Sequence, residues 1–146
     1  MTINNRKASF DYEFLEKFTA GIVLQGTEIK SIRLGKASLV DSFCIINDNT
    51  IILKNSFINK FEIAGYYNHE ERRDRQLLLT KQEIRHIKKK ILIQGITLIP
   101  TKMFIDSNGR CKVEIAISKG KKEYDKRQTI KDRDNKKELD RIKKFY

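Results

Sequence analysis

Long apolar runs are missing from this 146-residue chain: no stretch approaches the roughly 20 apolar residues that a membrane-crossing helix requires. The opening MTINNRKASF has no apolar segment of signal-peptide type either. Both absences lead to the expectation of a cytoplasmic protein with no membrane-spanning segment. Cysteine is sparse, and Cys44 and Cys111 fall in separate strand-like segments without a CxxC pair or a surrounding cluster of His or Asp. Two buried, reduced thiols are expected from that spacing, with no metal and no cofactor. Histidine is rare, and His69 has no second His or Cys nearby in sequence. Asp48 sits in a turn, where Asp is favoured, and Asp41 has no legible carboxylate partner. A nuclease would need convergent carboxylates or a His pair, so no catalytic residue is nominated and the chain is not expected to be an enzyme.

Acidic residues are in short supply as well. Nineteen Asp and Glu face 31 Lys and Arg, a formal net charge of +12 with pI ≈ 9.7. A surplus of that size favours a polyanion as partner, nucleic acid or anionic membrane. The length suits one domain with a real core. The single proline, Pro100, lacks an N–H and is expected at an edge or bulge of its strand.

What is present is organised around residues 110–127, RCKVEIAISKGKKEYDKR. Val113, Ile115 and Ile117 alternate with Lys112, Glu114 and Ser118, the period of a strand with one buried face. After Ser118 that period stops, and Lys119, Lys121, Lys122, Lys126 and Arg127 arrive within nine residues around Tyr124. The chain therefore divides into a folded body, residues 1–118, and a basic tail, residues 119–146. The tail holds twelve Lys or Arg against six Asp or Glu, a net of +6, half the charge of the whole chain. Its apolar residues are few, and the stripe of Leu139, Ile142 and Tyr146 is too thin to offset the entropy of ordering. We expect a tail that is disordered in the free protein and helical when docked on RNA.

Within the body, Asn5, Arg6 and Lys7 read as a basic arm suited to phosphate contact, before a first strand in which Phe10, Tyr12 and Phe14 alternate with acids. Thr27 can cap a two-turn helix with Ile29 and Ile32 facing inward, Gly35 at its end, and Lys30, Arg33 and Lys36 on or just beyond its outer side. Residues 47–50 read as a hairpin turn inside a β-rich scaffold. Residues 65–76 place Tyr66 and Tyr67 beside Arg72, Arg73 and Arg75, rings and guanidinium groups that can stack on bases and fork onto phosphates. Thr80 and Glu83 form a capping box for a helix carrying Ile84, Ile87 and Ile91, with Lys81 at its start and its end at Gly95. Asn108-Gly109 marks a second hairpin, where Asn-Gly readily takes positive φ. About six strands and two body helices predict a mainly β fold, a small antiparallel barrel, closed or partly open.

Four segments carry a resemblance: NRKASFDY, AGIVLQGTEIKSIRLGKASLVDSF, RRDRQLLLTKQEI and KVEIAISKGKKEYDKR. In order and spacing they resemble the small protein B family, the SsrA-binding proteins that accompany transfer-messenger RNA (tmRNA) in bacterial trans-translation. The resemblance covers nearly the whole chain. It implies an oligonucleotide-binding-like β-barrel with flanking helices and no catalysis. It implies as partners the tRNA-like domain of tmRNA and the stalled ribosome with its small-subunit rRNA. Elongation factor Tu and alanyl-tRNA synthetase are implied only indirectly, through the RNA. By the same resemblance Asn5, Arg6, Lys7, Glu28, Lys30, Arg33 and the segment from Arg75 to Lys81 match RNA-contacting regions. Asp125, Lys126 and Arg127 match an element of the decoding centre, and the helix after them would occupy the empty mRNA channel. Tyr124 stands where many relatives carry His, and Ser9-Phe10 replaces a commoner Arg-His. The alternative kept open is a nonspecific single-strand RNA-binding barrel, which charge and Tyr-Arg loops would equally permit.

Overall fold

A computed structural model describes the backbone of residues 1–143 and, among these, all side chains except those of residues 123–125 and 140–143. Among the described residues fourteen segments follow one another. They are β1 (Thr2–Asn4), α1 (Arg6–Asp11), β2 (Tyr12–Ile22), α2 (Gly26–Arg33), β3 (Ala37–Ser38), β4 (Phe43–Asn47), β5 (Thr50–Lys54) and β6 (Phe57–Ile58), then a 3₁₀ turn (Glu62–Tyr67), β7 (Arg75–Leu78), α3 (Lys81–Ile91), β8 (Ile96–Ile105), β9 (Cys111–Gly120) and α4 (Glu123–Lys143).

The strand pairings run β8-β4-β5-β7-β2-β9, and β9 pairs back with β8, so six antiparallel strands form a closed circuit. The weak point of the circuit is the β4–β8 seam, held by the single register pair Cys44 and Leu98. β1 lies beside β8, and β3 with β6 forms a separate two-stranded ribbon. The mainly β, antiparallel fold predicted from sequence, closed or partly open, is therefore present, with three short strands that periodicity did not resolve. Pro100 sits where expected, beside a register shift between Pro100 and Lys102.

Inward-facing residues of these strands fill the interior: Ala20, Ile51, Leu53, Leu77, Leu98, Val113, Ile115 and Ile117 are buried in one cluster. Ile84 and Ile87 of α3 pack onto it from one side, and Ile32 of α2 with Leu39 and Ile58 from another. Cys44 and Cys111 are unpaired and buried. Burial raises both thiols, Cys111 to about 12 with the Asp106 charge adding to the effect, so neither is a nucleophile at neutral pH.

Several local expectations give way. Residues 6–11 are helical, not the start of a strand, because Asn5 caps them and its side-chain oxygen accepts from the Ala8 N–H. The alternation of Phe10, Tyr12 and Phe14 becomes a strand only from Tyr12 onward. Gln25, not Thr27, precedes α2, and its N–H donates to Glu28 at 2.7 Å while Thr27 points to His69. α3 stops at Ile91, and Gly95, at φ +83°, belongs to the turn into β8. In the hairpin between β8 and β9 only Gly109 takes positive φ. Its Asp106 carboxylate accepts from the N–H groups of Asn108 and Arg110, each at 2.9 Å. β9 runs two residues past Ser118, pairing Lys119 with Glu13 and Gly120 with Tyr12.

Candidate nucleic-acid interface

The cations nominated from sequence divide into a buried set and an outward set. Arg75 begins β7 with its side chain fully enclosed. Its Nε donates to Glu28 at 2.5 Å, Nη1 to the Ser56 carbonyl and hydroxyl at 3.0 and 2.9 Å, and Nη2 to the carbonyls of Glu70 and Glu71. Glu28, also fully buried, receives Arg73 Nη2 on its other oxygen at 2.6 Å. Burial pushes the Glu28 carboxyl up, but the bonds from Arg73, the Gln25 N–H and Arg75 outweigh it and hold the group below the usual carboxylate range. Burial likewise lowers Arg75, which the Glu28 charge opposes. Glu28 and Arg75 therefore tie α2 to β7 and to the loop at 70–71, and neither side chain reaches solvent. Asn5 is buried too, its amide donating to the Leu39 and Pro100 carbonyls at 3.1 and 2.9 Å. The side chains of Asn5, Glu28 and Arg75 are thus enclosed and bonded to neighbouring elements, where the sequence leads us to expect residues facing outward.

The outward set is gathered around that framework. Lys30 and Arg33 are exposed on α2 and Lys36 follows its Gly35 stop. Lys30 Nζ lies 5.5 Å over the Phe61 ring, and Lys36 approaches Glu62 at 3.7 Å. The Lys36 carbonyl accepts from the Asn59 N–H, and Arg72 lies 5.4 Å over Phe57 of β6. Lys30, Lys36 and Arg72 thus meet aromatic rings and backbone of one stretch, residues 57–62. Arg73 is half-buried and faces Glu28, with Nε unpartnered among the described residues.

A second outward group lies on α1 and the tail. Arg6 and Lys7 are exposed, and Asp41 at 2.7 Å holds the Lys7 ammonium above its ordinary value by hydrogen bond and charge. Lys119 and Lys122 are exposed, whereas Lys121 donates to the Ser9 carbonyl and the Thr129 hydroxyl. The tail, expected from its thin apolar stripe to be disordered when free, is helical here: α4 is continuous from Glu123 and touches α1, with Lys126 3.5 Å from Asp11 and both Lys126 and Arg133 over Phe10. Arg127 is exposed. The side chains of Tyr124, Asp125 and Ile142, and the whole of Tyr146, lie outside the described residues. Lys81 is exposed at the start of α3, behind the Thr80–Glu83 capping box. Asn5 is the functional-looking residue that sequence reasoning placed least well, although an Asn before RKA is itself an N-cap signal.

No group of three or more His, Cys, Asp or Glu able to hold a metal occurs among the described residues, and no helix among them is long and apolar enough to cross a membrane. A closed β-sheet, a cationic helix beside an aromatic ring and a long basic helical extension together define a basic β-domain suited to a polyanionic partner. The chain belongs to the SmpB protein family, whose model matches residues 2–145. It is 55% identical to an SsrA-binding protein of Parabacteroides distasonis, over 95% of this chain and 91% of that one. It is 49% identical to an SsrA-binding protein of Christiangramia forsetii, over 100% and 93% of the two chains. A solved chain described as "tmRNA-SmpB: a journey to the center of the bacterial ribosome" superposes with a TM-score of 0.72 at 41% identity, covering 84% of this chain and 85% of that chain.

Proposed function

We propose that this chain binds tmRNA through its tRNA-like domain and carries it to stalled ribosomes for rescue and tagging of the nascent chain in the cytoplasm. The observation that carries this reading is the family match across residues 2–145, which takes in the closed sheet and the basic helix together. In this reading the outward cations Arg6, Lys7, Lys30, Arg33, Lys36, Arg72 and Lys81 meet RNA phosphates, with Lys119, Lys121 and Lys122 at the junction. Asn5, Glu28, Arg73 and Arg75 hold those elements in place. Tyr124, Asp125, Lys126 and Arg127 enter the decoding centre against small-subunit rRNA, and α4 follows the empty mRNA channel. A basic helix suits a phosphate-lined channel only when no mRNA fills it, which gives a physical means of sensing the stall. Elongation factor Tu and alanyl-tRNA synthetase are reached through the RNA, and the protein contributes no catalytic group of its own.

The test is a titration of the full-length chain against the tRNA-like domain across a salt series, with ordinary tRNA and unrelated duplex RNA as competitors. Selective binding that resists both competitors is the expected result. Equal affinity for all three RNAs would assign the chain to the nonspecific RNA-binding alternative.

A further inference from the structure

The turn between β6 and β7 holds large apolar side chains out in water. Ile63, Tyr66 and Tyr67 are 86, 96 and 87% exposed, three such residues within five positions. The segment is not loose at its base. Asn68 closes it with two hydrogen bonds to the backbone of Phe61, accepting from the N–H at 2.9 Å and donating to the carbonyl at 2.7 Å. Next to it His69 is buried, one ring nitrogen against the Ile58 carbonyl and the other against the Thr27 hydroxyl. At the tip, Gly65 takes φ +55° and ψ −117°, a kink that a side chain would strain. The two tyrosines then meet edge to face, ring centroids 5.7 Å apart. Because the base of the turn is closed by these bonds, a ligand stacking on the rings has less backbone to order.

The charge beside the rings selects among occupants. Lys30 lies over Phe61 at the base of this turn, Lys36 reaches its Glu62, and Lys60 is exposed just before it. Cations at the base of a turn that carries accessible aromatic rings suit a ligand that offers both a flat π-surface and phosphates, which is a nucleotide with its base unpaired. We propose that Tyr66 and Tyr67 form a stacking platform for an unpaired base of the bound RNA, with Lys30 and Lys36 on its flanking phosphates. This rests on the reading of the chain as a binder of the tRNA-like domain and adds a base-recognising subsite to it.

The test compares the full-length native chain with Tyr66→Ala/Tyr67→Ala and Tyr66→Phe/Tyr67→Phe, each titrated with the tRNA-like domain over a salt series. Removing the platform is expected to weaken binding by roughly tenfold or more, the scale of losing one base–aromatic stack. The slope of log affinity against log salt stays unchanged, because every cation that meets a phosphate is still present. The Phe pair retains native affinity. The Ala pair binding like the native chain overturns the platform while leaving the broader reading intact. A flattened slope overturns it in favour of a phosphate role. Native RNA affinity of the Ala pair together with lost ribosome binding assigns the turn to a protein or ribosomal partner. A native chain that shows no preference for the tRNA-like domain removes the broader reading, and the platform with it.

Discussion

Glu28 and Arg75, separated by 47 positions in sequence, meet at 2.5 Å in a site closed to water, and Arg73 closes the second carboxylate oxygen. A buried pair whose members are also hydrogen-bonded to backbone is held by geometry, and removing one member strands the other. Glu28→Ala is expected to cost about 3–5 kcal/mol of unfolding free energy. Arg75→Met should cost a similar amount, and the double variant less than the sum, because the stranded charge is gone. Urea denaturation of the four proteins checks this. Additive losses would show that the two residues act independently.

The same carboxylate sets an acid limit. Its folded pKa lies below the ordinary value, so in acid the unfolded chain takes up the proton first. Its contribution to stability is complete above about 4.3, the unperturbed Glu value, and is lost as pH falls through the folded value. The gap in stability between the native chain and Glu28→Gln is therefore expected to be constant at neutral pH and to narrow below about pH 4.3. A gap that is flat down to the acid transition would mean that Glu28 does not titrate with folding.

Lys30 and Arg33 stand on the exposed side of α2 and contribute nothing to the core. Their joint replacement by Ala should leave the urea midpoint nearly unchanged and weaken binding to the tRNA-like domain. The salt slope should flatten by up to about 0.9 for each phosphate no longer neutralised, an upper guide taken from duplex DNA. An unchanged slope would make this side of the helix a merely solvated one.

Phe10 occupies the position between the body and the tail, with Lys126 5.9 Å and Arg133 5.6 Å from its ring centre. Each exposed cation–π pair contributes roughly 0.5–1 kcal/mol, so Phe10→Ala should raise backbone hydrogen exchange across residues 126–133 on the order of tenfold. Exchange in β8 and β9 should not move. Unchanged protection in the tail would show that α4 holds itself without the body.

How much was legible in advance follows the range of each interaction. The alternation of Val113, Ile115 and Ile117, the Thr80–Glu83 box and the turn at 47–50 are local, and each appears where its residues predict. The Pro100 irregularity was readable for the same reason, since a missing N–H is a property of one residue. The framework was not. Asn5 finds its acceptors at Leu39 and Pro100, and Arg75 finds Glu28 through the closure of the sheet, so their sequence neighbours reveal neither burial nor partner. Arg75 resembles Arg72 and Arg73 in sequence because a buried and an exposed arginine are chemically the same until the fold places them. At residues 6–11 the alternating aromatics favour a strand and the Asn5 cap favours a helix, and the cap prevails in the structure.

The last expectation separates the two ends of the molecule. Residues 125–127 lie at the beginning of α4, after the last paired residue of β9, and among the described residues Lys126 meets Asp11 and Phe10 of α1. Replacing Asp125, Lys126 and Arg127 together by Ala should therefore leave affinity for the tRNA-like domain nearly intact, since one acid and two cations are removed and the outward cations of α2 remain. Tagging on stalled ribosomes should be abolished, because this segment would no longer engage the decoding centre as proposed. Binding titrations paired with a tagging assay on a message lacking a stop codon measure both. Loss of RNA affinity together with tagging would move residues 125–127 into the RNA interface, and tagging at the native rate would remove them from the ribosomal role.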